Sequence, residues 1–396
     1  MQGHSAGVPL VAQGRDAMQR LSTEVVVGGE RFRLYKAGMK EGRNWFGVFP
    51  RDLLSTGLMI RDQQLLRETL RFCAHTMGKQ EDGYTGEEPG RVLHELAHVE
   101  RDGLSSRYNA CETAQLFVLG ARTYFELSED KDFLRSIAEK LEAAGDYMLR
   151  HLREDIFWED PVLCGGVRYM AHATYWKDSH LPCRRDLRYP VAYTLVQAQT
   201  VAALRALARL AVPLKLRHSS RILEKAAEGI VHSIWLRFWD EEREYPVIAI
   251  DDGEPVPGVS SDGLHMLAYL EPGDVPSELV GHLQRGTGLM ATPYGLRSYA
   301  PGQPDYSPYA YHLGAIWPHE QVFLAHGARA HGLEEPFAVS RQVLAAISQL
   351  GFVELYYWTE VEGLHGPDVK PGEGCDLQLW AAAVPQALYS LGAVPG

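Results

Sequence analysis

Cysteine is scarce in this chain, and its few positions form no pattern. Cys73, Cys111, Cys164, Cys183 and Cys375 are odd in number and widely spaced, with no CxxC pair and no Cys/His metal spacing. A disulfide framework and a structural zinc site are therefore not expected, and the thiols read as reduced. Positive charge is also in short supply. The formal net charge is -12, which would repel a nucleic-acid backbone or an anionic membrane and leaves a neutral substrate as the better partner. No uninterrupted run reaches the ~20 apolar residues that span a bilayer. The opening residues MQGHSAGVPLVAQGRDAMQR lack the basic start and apolar centre of a secretory signal, so a cytoplasmic location is expected. Long Gly/Ser-rich or low-complexity segments are missing too, and the chain should fold throughout apart from its first dozen residues.

What is present is helical periodicity. Apolar residues recur at i, i+3 and i+4 over 51–76, 109–127, 131–153, 190–211, 214–238, 313–332, 335–350 and 376–391, which predicts helices there. The 190–211 segment opens with Pro190 at a natural first-turn position and is aliphatic on more than one face, so it belongs between layers. Ahead of these, alternating apolar residues in LSTEVVVGGERFRLYK predict a short β-hairpin turning at Gly28-Gly29. Long connections rich in Gly, Pro, aromatics and charge fill 77–108, 155–189, 240–262, 291–312 and 351–375, and such loops are usually functional. A chain of 396 residues has room for six helix hairpins of roughly 66 residues each. Counting thus suggests a ring of helix pairs whose long loops gather at one end, with a two-domain helical protein or an open solenoid as alternatives. The domain reading is 1–43 as a hairpin-bearing N-terminal segment and 44–396 as the helical body.

The long loops share one chemistry. Trp, Tyr, His, Arg and carboxylates recur in NWFGVFPRD (44–52), LHE (93–95), ATYWKDSH (173–180), YHLGAIWPHE (311–320) and GFVELYYWTE (351–360). A pyranose has an apolar C–H face that stacks on aromatic rings and a rim of hydroxyls that bond to carboxylates, Arg, His or Gln. No phosphate-loop motif competes with this reading.

The segment TPYGLRSYAPGQPDYSPYAYHLGAIWPHEQVFLAHGARAHG, residues 292–332, resembles bacterial amylo-α-1,6-glucosidase and glycogen-debranching-type proteins. Further blocks agree in order: FPRD at 49–52, PGRVLHE at 89–95, RYNACETAQLFVLGARTY at 107–124, YWKDS at 175–179 and CDLQLWAAAVPQAL at 375–388. The wider group includes mannosylglycerate and glucosylglycerate hydrolases. The resemblance implies an all-α (α/α)6 barrel, inversion at the anomeric carbon, and no cofactor or metal. It also implies a general acid at Asp178, ahead of an inner helix, and a general base at Glu354, in the aromatic run before the last helix. Inversion needs one carboxylic acid to protonate the leaving oxygen and one carboxylate to activate water, roughly 6.5–9.5 Å apart. Asp178 must stay protonated near neutral pH, so its surroundings should disfavour the anion.

Around this pair the expected substrate-binding residues are Arg51, Asp52, Glu95, Glu112, Trp176, Lys177, His312, Trp317, His319 and Gln378. Each also has a bland reading: Asp178 as a solvated or capping carboxylate, Glu354 as half of a buried ion pair, and Arg51 and Asp52 as helix caps. Trp45, Trp176, Trp317 and Trp380 could be core, and His94, Glu95, His312 and His319 could be satisfied interior groups. Glu360 and Glu362 stand as fallback bases. Two departures from the family pattern stand out, Glu112 and Glu320 in places where relatives carry Asp. The expected substrate is an α-1,6-linked oligosaccharide or glycogen-derived glucan. Only 50 residues precede Arg51, so a small glycoside such as glucosylglycerate or mannosylglycerate is the alternative. A sugar epimerase working through paired histidines, or a silent carbohydrate-binding protein, completes the set of rivals.

Overall fold

The computed structural model describes residues 7–40, 47–184, 186–370 and 374–392. About half of the chain is helical, and the strands are short, of two to six residues. The chain divides into two compact units, Met1–Gly47 with Gly258–Gly396, and Val48–Pro257.

In the unit Val48–Pro257 the helices are Pro50–Ile60, Gln63–Thr76, Thr113–Ser128, Lys131–Ser136, Ala138–Arg150, Thr194–Leu214 and Ser220–Arg237. The single helix expected over 51–76 is two. Arg61 takes a left-handed φ of 50°, and Asp62 restarts the helix by accepting a 2.8 Å bond from the Leu65 amide, a side-chain cap for an orphan N–H. The expected 131–153 helix also breaks, at Ile137, where φ is -112° and no side chain caps the helix that follows. Pro190 does not open the long apolar helix. It precedes the strand Val191–Tyr193, and the helix begins at Thr194 because that strand pairs with Ala249–Asp251.

Thr194–Leu214 has 21 residues, and by length and composition it could cross a membrane. Most of it is buried in protein instead, packed against Thr113–Ser128 and Ser220–Arg237. Its buried Gln197 is satisfied by the main chain of Phe157: the side-chain oxygen accepts from the amide at 2.8 Å, and the side-chain nitrogen donates to the carbonyl at 2.9 Å. A buried amide left without such partners would cost about 1–3 kcal/mol.

In the other unit the hairpin is where the alternation places it, Ser22–Val27 against Glu30–Tyr35. Its turn has positive φ at both Gly28 (57°) and Gly29 (82°), the geometry that matches strand twist and selects glycine. The first residues depart from expectation, since Gly7–Arg20 is a helix that packs on Leu379–Ser390. The helices Asp262–His265, Ser277–Met290, Pro318–Ala330, Glu334–Arg341 and Val343–Leu350 also belong to this unit. The strand Gly38–Met39 pairs with Leu377–Gln378, just before the buried helix Leu379–Ser390.

Gly14 lets the two packed helices approach, because a Cβ there would run into the Ala382 carbonyl oxygen. Gly14→Val is expected to lower stability by about 1–3 kcal/mol, the usual cost of overpacking. Equilibrium urea unfolding of the two proteins measures this, and equal midpoints would show that the helices yield freely.

Candidate active site

The candidate residues fall into two groups, one in each unit. The first is organised by Arg51, in the opening turn of the helix Pro50–Ile60. Phe49 occupies the N-cap position, and the side chain of Arg51 does not cap the helix. Its Nε lies 2.6 Å from Oε1 of Glu112, and its Nη1 lies 3.4 Å from Oδ2 of Asp178. Arg51 and Glu112 are buried, whereas 36% of the Asp178 side chain is open. A buried cation is thus clamped on one side and presents its other side to a carboxylate that faces free space.

Burial pushes the Asp178 carboxyl above its usual range, although the Arg51 guanidinium favours the anion. Burial likewise raises Glu112 against Arg51, and raises Glu95 against a hydrogen bond from Ser106, with the Asp178 charge adding to the rise in both. Desolvation of this kind is how a carboxylic acid is kept protonated for acid catalysis.

Asp52 is buried within the electrostatic reach of Arg51. Trp176 and Lys177 are buried beside Asp178 in the chain, with the Lys177 ammonium 5.0 Å from the centre of the Trp176 ring, a cation–π contact. Glu95 is buried, and its Oε1 accepts from the Ser106 hydroxyl.

Residues 94–98 read His-Glu-Leu-Ala-His, the order of a zinc-protease motif. That motif needs a helix to bring both histidines to one face, and here the segment is an irregular loop. His94 Nδ1 is bonded to the Ser106 carbonyl at 3.0 Å, while His98 lies 3.4 Å from Glu100. The motif is therefore a coincidence of order.

The loop carrying Glu95 is anchored by a fully buried network. Arg91 donates to the Tyr108 carbonyl (2.6 Å), Glu88 (3.1 Å), the Tyr169 hydroxyl (3.0 Å) and Glu159 (2.8 Å). His151 Nε2 sits 3.0 Å from Glu88. A separate recess in this unit, lined by Arg101, Arg168, Tyr169, His172, Asp186 and Tyr189 among others, contains none of the candidate residues.

The second group centres on Glu354, 8% exposed. Its Oε1 accepts from the Tyr311 hydroxyl at 2.6 Å and its Oε2 from the Cys375 amide at 2.7 Å. A phenol and a main-chain N–H are thus among its partners. The Glu354 amide also donates to the Cys375 carbonyl at 3.0 Å, which fixes the irregular segment that carries it. The fallback residues Glu360 and Glu362 lie at an exposed turn, where Glu362 accepts from Tyr309.

Trp317 is buried and donates its indole N–H to the Tyr311 carbonyl at 2.8 Å. Its ring stacks on His312, with centroids 5.0 Å apart. His319 stacks on Trp380 at 3.7 Å with an interplanar angle of 9°. Gln378 is buried beside Gly38, where any side chain would strike its amide oxygen. Trp45 lies outside the described residues.

Tyr311 was legible only as a letter of the YHLGAIWPHE block, and nothing in spacing marked it as a donor to Glu354. Ser106, which bonds to Glu95 and to the loop main chain, carried no signal.

Aromatic rings and carboxyl groups in sugar-binding proportions, held by a helical scaffold, are the makings of a glycoside hydrolase. The chain belongs to the mannosylglycerate hydrolase MGH1-like glycoside hydrolase domain family, whose model it matches over residues 55–368. It shares its fold with the GH63 mannosylglycerate hydrolase from Thermus thermophilus in complex with glucose. That match has a TM-score of 0.68 at 19% identity and covers 96% of this chain and 100% of that one. The same hydrolase in complex with Tris and D-glycerate gives a TM-score of 0.66 at 17% identity, with the same coverage. A rhamnosidase from Klebsiella oxytoca with rhamnose bound aligns at 0.57 and 12% identity, covering 97% of this chain and 64% of that one. No curated protein matches the chain in sequence. The family shown is thus the mannosylglycerate-hydrolase-like one.

Two buried groups set an acid limit on stability. Burial and the nearby Arg51 charge bring His94 from 6.5 down to about 3. Burial pushes Glu88 up, but His151, Arg91 and Arg150 outweigh it and bring the carboxyl from 4.5 down to about 2. In both cases the unfolded chain takes up a proton before the native one, so the stabilisation is complete above the unfolded value and is lost as pH falls. The loss from His94 starts near 6.5 and that from Glu88 near 4.5. Urea unfolding across this range should show His94→Gln flattening the upper part of the slope and Glu88→Gln the lower part. Unchanged slopes in both variants would refute the assignment.

Proposed function

We propose that this protein is an inverting glycosidase acting on a small α-glycoside of the glycosylglycerate type, with Asp178 as general acid and Glu354 as general base. The observation that carries the acid role is the Arg51 clamp, which holds an open carboxyl whose anion is disfavoured by its surroundings. A carboxyl shifted in that direction is suited to donating a proton to a leaving oxygen. Arg51 positions it, and Glu112 acts through Arg51. On the other side of the reaction, Tyr311 and the Cys375 amide orient Glu354 as an acceptor for a proton from water.

Membership in a mannosylglycerate-hydrolase family supports the small substrate over an α-1,6-linked glucan. So does a structural relative that holds D-glycerate. Asp52, Glu95, Trp176 and Lys177 in one unit, and His312, Trp317, His319 and Gln378 in the other, are proposed as the substrate-binding set. An (α/α)6 barrel over 44–396, preceded by the hairpin-bearing segment 1–43, and a cytoplasmic location belong to the same reading. An epimerase would need two histidines free to move protons. Both His312 and His319 are held by stacked rings, and loss of activity only on replacing them, not on Asp178→Asn, would favour the epimerase.

Purified protein is tested on mannosylglycerate, glucosylglycerate, isomaltose and limit dextrin, with the first-formed product followed by proton NMR. Release of the β-anomer from the glycosylglycerates is expected. Asp178→Asn and Glu354→Gln should each lower kcat by about a hundredfold to ten-thousandfold, the range of a lost acid or base. An initial α-product, or full activity in Asp178→Asn, would overturn the roles. Cleavage of the glucans alone would restore the debranching reading.

A further inference from the structure

The helix that carries His319 at its start also carries Glu320, and that side chain turns into the protein. Glu320 (0% exposed) meets Asp262 (1%) and His265 (3%), which come from the short helix Asp262–His265. Each offers one ligand atom, and these atoms all lie within 4.8 Å of one another. The three residues belong to one compact unit.

His265 Nδ1 stands 3.4 Å from Glu320 Oε1, longer than an ordinary N–H···O bond. It is the spacing of two ligands that each sit ~2.1 Å from one ion at a tetrahedral angle. All three donor atoms lie within 4.8 Å of one another, so binding draws the wider separations in to the ~3.4 Å of a tetrahedral ligand set. Charge points the same way. A divalent ion held among these groups neutralises both buried carboxylates.

The carboxylates are also oriented from behind. Ser260 Oγ donates to Asp262 Oδ2 at 3.1 Å, and Ser261 Oγ to Glu320 Oε1 at 2.6 Å, while the Ser261 amide is tied to the Ser298 carbonyl at 3.1 Å. Hydroxyl donors behind ligand oxygens are the usual second layer of a metal site. We propose that Asp262, His265 and Glu320 bind one divalent transition-metal ion, Mn2+ or Zn2+, as a mixed carboxylate–imidazole donor set selects. The ion is structural. It ties the 260–265 segment to the first turn of the helix Pro318–Ala330 and so fixes the base of the His319–Trp380 stack. This amends the expectation of a protein without metal, and it stands independently of the glycosidase reading.

The test uses the full chain, freed of metal by chelator dialysis and titrated with MnCl2 and, separately, ZnSO4. One equivalent bound per chain, with a rise in Tm, is expected for at least one of the two ions. Asp262→Asn, His265→Gln and Glu320→Gln should each weaken that ion at least tenfold, a loss typical of altered metal sites. No stoichiometric binding of either ion by the wild-type chain overturns the proposal, as does a folded triple variant with unchanged affinity. If the variants do not fold, pulsed EPR of wild-type protein with one equivalent of Mn2+ decides. Coupling to an imidazole nitrogen supports the site, and its absence overturns it. Because binding is read directly, a failure here is distinct from a failure of glycoside hydrolysis.

Discussion

A guanidinium buried at the start of a helix must be answered by carboxylates, and at Arg51 that requirement draws together three segments distant in sequence. Leaving such a charge unpaired costs several kcal/mol, a large part of a domain's net stability. Arg51 therefore fixes where the start of the helix Pro50–Ile60, the Glu112 turn and the Asp178 loop must lie. The guanidinium suits this better than an ammonium, because its planar fork faces two acceptors at once. With Glu112 taking the buried side, Asp178 keeps its open surface, and two opposed influences act on one carboxyl. Desolvation favours the acid and Arg51 favours the anion, and the first wins.

Glu354 is held by different means. A phenol hydroxyl donates to one of its oxygens and a main-chain amide to the other, which gives it direction. The two candidate catalytic carboxyls therefore differ in the chemistry of their neighbours, as groups with opposite proton duties must. In one unit the Arg91 network holds the Glu95 loop, and in the other the rings of Tyr311, His312 and Trp317 interlock next to Glu354, with the Tyr311 hydroxyl on its carboxylate.

Helical periodicity was legible because burial imposes it, and most of the segments predicted from it are helices. What it hid were the breaks. At Arg61 and Ile137 the apolar rhythm runs on, since the helices on either side bury residues in the same unit, and only a local backbone turn separates them. Gly7–Arg20 and Ser277–Met290 were overlooked because glycine lowers helix propensity, yet Gly14 is there for close approach to Ala382. In the site, residue types in the loops were readable and their partners were not. HELAH carries the letters of a metal motif without its helix, whereas Asp262, His265 and Glu320 meet with no motif at all.

Glu112 and Glu320, the two positions where the family resemblance leads one to expect Asp, make the same point about reach. Both read, in sequence, as changes to a sugar pocket. Both side chains are instead buried at the beginning of helices, Glu112 on Arg51 and Glu320 on Ser261 beside His265. An extra methylene at such a site moves the carboxylate by about an ångström and a half, the difference between a bonded and an unbonded oxygen. The longer arm thus sets which buried partner each carboxylate reaches, Arg51 for Glu112 and Ser261 for Glu320.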